Sequence, residues 1–82
     1  MEWTKEAAAG WQDTHAEFET LMRRHHRTVY NIAYRLTGNR DDAEDLTQEA
    51  FIRAFRFFDR YNRDMPFENW MYRIVNNAFI DM

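Results

Sequence analysis

Cysteine is absent from the 82 residues, so disulfides and thiolate metal sites are excluded. Glycine occurs twice and proline once, at Gly10, Gly38 and Pro66, which leaves long uninterrupted stretches able to be helical. No apolar run approaches the ~18 residues that a bilayer span requires. The opening "MEWTKEAAAGW" lacks the basic start and long apolar stretch of a signal peptide. A soluble cytoplasmic protein that does not enter a membrane is therefore expected. Positive charge is also short: the net charge of -3 argues against a protein that grips nucleic acid unaided, because sequence-independent affinity comes from Lys and Arg contacts to phosphate. Nucleophile elbow, glycine-rich phosphate loop, H-E-x-x-H and Cys/His cluster are all missing, so catalysis and a bound cofactor are not expected. His25 and His26 are adjacent and would point about 100° apart on a helix, poor geometry for sharing a metal ion, and His15 stands apart from both.

What is present is hydrophobic residue, at 45%, and aromatic residue, at 17%, enough for one packed core but not for a second domain at this length. Charge is segregated along the chain. Residues 1–40 carry +1, residues 41–52 carry -5, residues 53–63 carry +3 and residues 64–82 carry -2. Acidic and basic patches side by side suggest two different partners, one met by carboxylates and one by arginines.

Apolar spacing predicts an all-α bundle of three main helices plus a short N-terminal one over residues 1–9, joined through "GWQDT" with Asp13 or Thr14 as a cap. Phe18, Met22, His25, Val29, Ile32 and Leu36 recur in steps of three and four, and the helix they define ends at "LTGN" with Gly38 as its stop. The next opens at "DDAED", where Asp41 or Asp42 can cap and Glu44 or Asp45 sits in the first turn, favoured there by the helix dipole. Its buried stripe is expected to be Ala43, Leu46, Ala50, Ala54, Phe57 and Tyr61, with Phe51, Phe55 and Phe58 forming a second apolar line about 100° away. The last helix starts at Pro66 and turns Phe67, Trp70, Met71, Ile74, Val75 and Ala78 inward.

Two stretches carry more than a solvated helix face would need. Asp45, Gln48, Glu49, Arg53 and Arg56 form a polar stripe flanked by Phe51 and Phe55, a pairing of charge with aromatic area typical of a protein interface. In "DRYNRDMPFENW", Arg60 and Arg63 interleave with Tyr61, Asn62 and Phe67 between helices. Single-stranded nucleic acid is bound in this way, arginines holding phosphates while rings stack on bases. Asn69, Arg73, Asn76 and Asn77 line the outer side of the last helix and add amides able to meet base edges.

With these segments placed, residues from about 10 to 82 closely resemble region 2 of bacterial extracytoplasmic-function (ECF) sigma factors. The likeness rests on "D-x-x-Q-E-A-F" followed by "F-x-x-W-x-Y-R-I-x-x-N", with "FETLMRRHHRTVYNIAYRLTG" similar to the family's first long helix. The resemblance implies binding to the RNA polymerase core through the clamp helices of its largest subunit, then recognition and melting of the promoter minus-ten element. Asp45, Gln48 and Glu49 match the family's core-binding motif, with Phe51, Arg53 and Phe55 as neighbours. The loop from Tyr61 through Asn62, Arg63, Asp64 and Met65 to Phe67 matches the segment that captures a base flipped from the non-template strand. Asn77 matches an asparagine of that recognition, while Arg56, Arg60 and Arg73 would serve the DNA backbone. Many relatives carry Gly or Ser in this loop where "YNRDMPF" stands here. The family continues into a region 4 that this chain lacks, so residues 1–82 are expected to be an isolated or truncated region 2 domain. The resemblance also implies an anti-sigma factor as partner. The alternative is a sigma-mimic domain that sequesters an anti-sigma factor without touching DNA.

Overall fold

Among the described residues, alternating apolar steps of three and four are realised as three α-helices: α1 Lys5–Thr37, α2 Arg40–Arg56 and α3 Phe67–Ile80. A single 3₁₀ turn, Phe58–Arg60, follows α2. In the computed structural model the backbone is described for residues 5–82 and the surroundings of side chains for residues 14–82. All three helices pack against one another.

The first helix differs from expectation. The short opening helix falls in part on residues 1–4, which lie outside the described residues, and from Lys5 the backbone runs helical without a break through Gly10 to Thr37. Thr14 therefore stands inside a helix and not at the start of one. Gly in a helix interior costs only about 1 kcal/mol relative to Ala, so Gly10 does not stop a helix that its neighbours favour. Gly38 does stop it, because there the chain turns through φ of 77°, the left-handed region that glycine enters at least cost. The Gly38 amide donates to the Tyr34 carbonyl at 2.8 Å.

One residue later the chain is already capping α2. The cap is Asn39, ahead of both aspartates expected in that role: its side-chain oxygen accepts from the Asp42 amide at 2.9 Å, and its NH₂ donates to the Asp42 carboxylate at 2.8 Å. Asp41 and Asp42 fill the first turn, with Glu44 and Asp45 one turn further on, and Arg53 and Arg56 close the last turn, charges placed to suit the helix dipole at both ends. The two-residue corner Gly38–Asn39 folds α2 back beside α1 as a helical hairpin.

The core contains Phe18, Val29 and Ala33 of α1, Leu46 and Ala50 of α2, and Met71, Val75 and Ala78 of α3. Ala33, Ala43, Ala50 and Ala54 are fully buried, and their small side chains let the helix backbones come close. Thr47 is a buried polar side chain of the core, satisfied by donating to the Ala43 backbone carbonyl at 2.7 Å. Trp70 and Ile74 are half-buried against this core rather than inside it.

The expected stripe fails at one position. Phe57 is 43% exposed, whereas Phe58, assigned to the second apolar line, is 2% exposed. α2 ends at Arg56, and in the 3₁₀ turn that follows, residues three apart eclipse one another. Phe58 and Tyr61 thus share the inward side, their rings stacked at 5.8 Å.

Candidate protein and nucleic-acid interfaces

The segment from Tyr61 to Phe67 is built in two layers. Tyr61 and Phe67 are 8% and 4% exposed, with their rings edge to face at 5.7 Å. Both lean on Trp70, at 4.8 and 5.8 Å. Phe18 of α1 completes the group against Phe58 and Phe67. The two rings that sequence reasoning offered to a stacking base are therefore committed to the core. Asn62, Arg63 and Asp64 project outward, and Met65 is half-buried.

Hydrogen bonds fix the tip over this floor. The Tyr61 hydroxyl donates to the Met65 carbonyl, the Met65 amide to the Asn62 carbonyl at 2.9 Å, and the Asp64 amide to the Asn62 side chain at 2.9 Å. The last is an Asx turn, in which a short polar side chain replaces a backbone acceptor. Burial pushes the Tyr61 phenol above its ordinary range, and Glu17 adds to this while the Arg63 charge opposes it. Arg63 is the most engaged residue of the tip. Its guanidinium makes a two-pronged contact with the Glu17 carboxylate at 2.7 and 3.4 Å, donates to the Tyr61 carbonyl at 3.2 Å, and lies 4.9 Å over the Phe58 ring. Glu17 stands 46 residues away on α1 and went unnoticed in the sequence, since no local pattern marks a pairing of that span.

Pro66 caps α3 directly behind the tip, and Asn69, Arg73 and Asn77 stand exposed on successive turns. Asn76 is half-buried and returns its NH₂ to the Tyr72 carbonyl of its own helix at 2.7 Å, which ties up a donor expected to face outward. Arg56 and Arg60 are exposed where α2 passes into the 3₁₀ turn, Arg60 lying 5.6 Å over the Phe57 ring.

The six residues expected to meet a protein fall on two sides of α2. Gln48, Phe51 and Phe55 line a groove of about 1200 Å³ between α1 and α2, opposite Met22, His26 and Tyr30. Asp45, Glu49 and Arg53 lie about 130° further round the helix. Phe51 is 7% exposed and stacks on His26 at 5.8 Å, so it forms floor rather than rim. Phe55 is 46% exposed, although one edge meets Phe18 at 5.2 Å. Ile52, which the sequence reading passed over, is an exposed apolar residue of the same groove. On the other side Arg53 joins Glu49 at 3.0 Å to Asp81, beyond the end of α3, at 2.8 Å. Arg53 is thus held by two carboxylates of its own chain. Asp45 and Gln48 are exposed.

Among the described residues no helix is long and apolar enough to cross a membrane, and no group of three or more His, Asp or Glu could hold a metal ion. The described residues thus form a domain with an acidic second helix, an arginine-bearing loop and an amide-lined third helix. Comparison with known proteins gives the family. The family model for Sigma-70 region 2 matches residues 21–82, and the chain belongs to that family. It is 49% identical over 75 residues to the ECF RNA polymerase sigma factor SigE of Mycolicibacterium smegmatis, covering 92% of this chain and 29% of that protein. Against the ECF RNA polymerase sigma factor SigW of Bacillus subtilis the identity is 38% over 77 residues, 94% of this chain and 40% of the relative. Against SigM of Mycobacterium tuberculosis it is 36% over 64 residues, 78% and 33% respectively. The chain thus spans between 29% and 40% of the length of these three relatives.

Proposed function

We propose that this chain acts in transcription initiation in the cytoplasm, docking on core RNA polymerase through α2 while its 61–67 loop and α3 engage the promoter minus-ten element. The observation that supports it best is the layering of the loop: rings turned inward as a brace, a polar tip turned outward, and immediately behind the tip a helix whose outer face carries Asn69, Arg73 and Asn77. A brace of this kind keeps the tip in place for a nucleotide without spending an ordering cost at each encounter.

A base drawn from the duplex costs a few kcal/mol of pairing and stacking, which the receiving site must return. Because Tyr61 and Phe67 are occupied, the base is received at the tip, against the Met65 side chain and the polar edges of Asn62 and Asp64, with Asn77 reading from α3. Arg56, Arg60, Arg63 and Arg73 then serve the non-template strand's phosphates, contacts that position the strand without specifying sequence.

On the polymerase side the α1–α2 groove supplies apolar area, and Asp45, Gln48 and Glu49 supply polar and negative groups, for the clamp helices of the largest subunit. An anti-sigma factor would compete for this same face. A sigma-mimic domain would use that face alone and leave DNA untouched.

Titration of labelled single-stranded oligonucleotides against the chain distinguishes these roles. Minus-ten sequences are expected to bind more tightly than scrambled ones of equal length, with the margin reduced roughly tenfold by Asn77→Ala, an amount that a good base contact can carry. Equal binding of all sequences, unaffected by Asn77→Ala, would refute base reading and favour the sigma-mimic role.

A further inference from the structure

The contact between α1 and the loop has the form of a contact the loop would otherwise make with DNA. Arg63 directs Nε and one terminal nitrogen at the two oxygens of Glu17, at 3.4 and 2.7 Å. This fork is the arrangement in which a guanidinium also takes two oxygens of a phosphodiester. The remaining terminal nitrogen is anchored to the Tyr61 carbonyl at 3.2 Å, and the planar face lies over Phe58 at 4.9 Å. Arg63 is therefore held by the Tyr61 carbonyl and the Phe58 ring on one side, while Glu17 takes its remaining edge.

From this geometry we infer that Glu17 is an internal stand-in for a DNA phosphate, a residue that sets the domain's affinity for single strands by occupying Arg63 until a strand displaces it. The inference rests on the reading of the loop as a DNA contact. Both side chains are about half exposed, 51% for Arg63 and 42% for Glu17, so an incoming phosphate can reach the pair. Exposed pairs of this kind are weak and screened by salt, which makes exchange for a phosphate feasible. Removal of Glu17 should not release the loop, because the Tyr61–Met65, Asp64–Asn62 and Arg63–Phe58 contacts do not involve it.

The test measures anisotropy of labelled single strands, minus-ten and scrambled, with the wild-type chain, Glu17→Gln, Arg63→Gln and the double variant at low and moderate salt. Circular dichroism confirms equal helicity of the four. Glu17→Gln is expected to tighten binding about threefold or more at low salt and less at moderate salt, for both sequences alike, because phosphate contacts carry no sequence information. The gain should vanish in the Arg63→Gln background. Unchanged or weaker binding by Glu17→Gln overturns the inference, and so does a gain that survives loss of Arg63, which would mean a general charge effect. Failure of the wild type to prefer the minus-ten strand would instead refute base reading, leaving the Glu17 comparison to be judged by its own result. If no chain binds either strand, both fall together.

Discussion

Tyr61 shows how one residue can matter to a site without being displayed at it. Its ring closes the core beneath the loop and its hydroxyl holds the Met65 carbonyl, so the outer tip takes its shape from a buried phenol. Burial raises its pKa above the ordinary 10.0, which means that the folded state favours the neutral form. Stability from this preference is complete below the unfolded value and is lost as pH rises through the higher folded value. The expected result is a decline of up to about 1.4 kcal/mol per pH unit over that window. Urea denaturation between pH 8 and 11 measures it. Tyr61→Phe should flatten the alkaline decline while lowering stability at neutral pH by about 1 kcal/mol, for the lost hydrogen bond. An alkaline decline as steep in Tyr61→Phe as in the wild type would show that another group is responsible.

At the scale of the element, the corner between α1 and α2 concentrates two signals in adjacent residues. A Cβ on Gly38 would meet nothing within 4 Å, so any penalty for Gly38→Ala comes from the left-handed backbone and not from a clash. That penalty is about 1 to 2 kcal/mol, and thermal unfolding should report it as a fall in Tm of several degrees for a domain of this size. An unchanged Tm would mean that the corner relaxes to another conformation. The elements were largely legible in the sequence because period and punctuation agree: apolar steps of three and four give the helices, and Gly38 and Pro66 give two of their limits. What escaped did so where a local rule had a competitor. Asn39 took the cap from Asp41 and Asp42, since three of the four residues from 39 to 42 have the chemistry to cap and only the path of the preceding helix selects among them. Phe57 and Phe58 exchanged places because the helical period was extended past Arg56 into a 3₁₀ turn with a different period. The candidate site was less legible than the fold. Composition identified the loop, but the inward turn of Tyr61 and Phe67, the splitting of α2 into a groove side and an acidic side, and the Glu17–Arg63 pair all depend on how distant segments meet.

For the molecule as a whole, both proposed surfaces are carried by one small core. Asp45 is exposed and bears on no buried group, so Asp45→Lys is expected to leave the thermal transition within a degree or two while weakening assembly with core polymerase by roughly tenfold, mainly through slower association. Co-sedimentation or kinetic binding against purified core enzyme measures the loss, and undiminished affinity would remove Asp45 from the docking surface. Arg53 behaves differently. Because it links Glu49 to Asp81 across two helices, its substitution disturbs the far end of α3 together with the acidic side of α2.

The inward rings of the loop also bear on how such a domain can diverge. A change at Tyr61 or Phe67 alters the packing that three helices share, so variants there are filtered by foldability before any altered promoter choice can be tried. The outward tip, Asn62 to Asp64, is under a weaker filter, because its contacts lie at the surface and not in the core. New specificities are therefore most readily sampled within three consecutive residues, and a library confined to them should yield folded domains with changed preference more often than one spread over the whole loop.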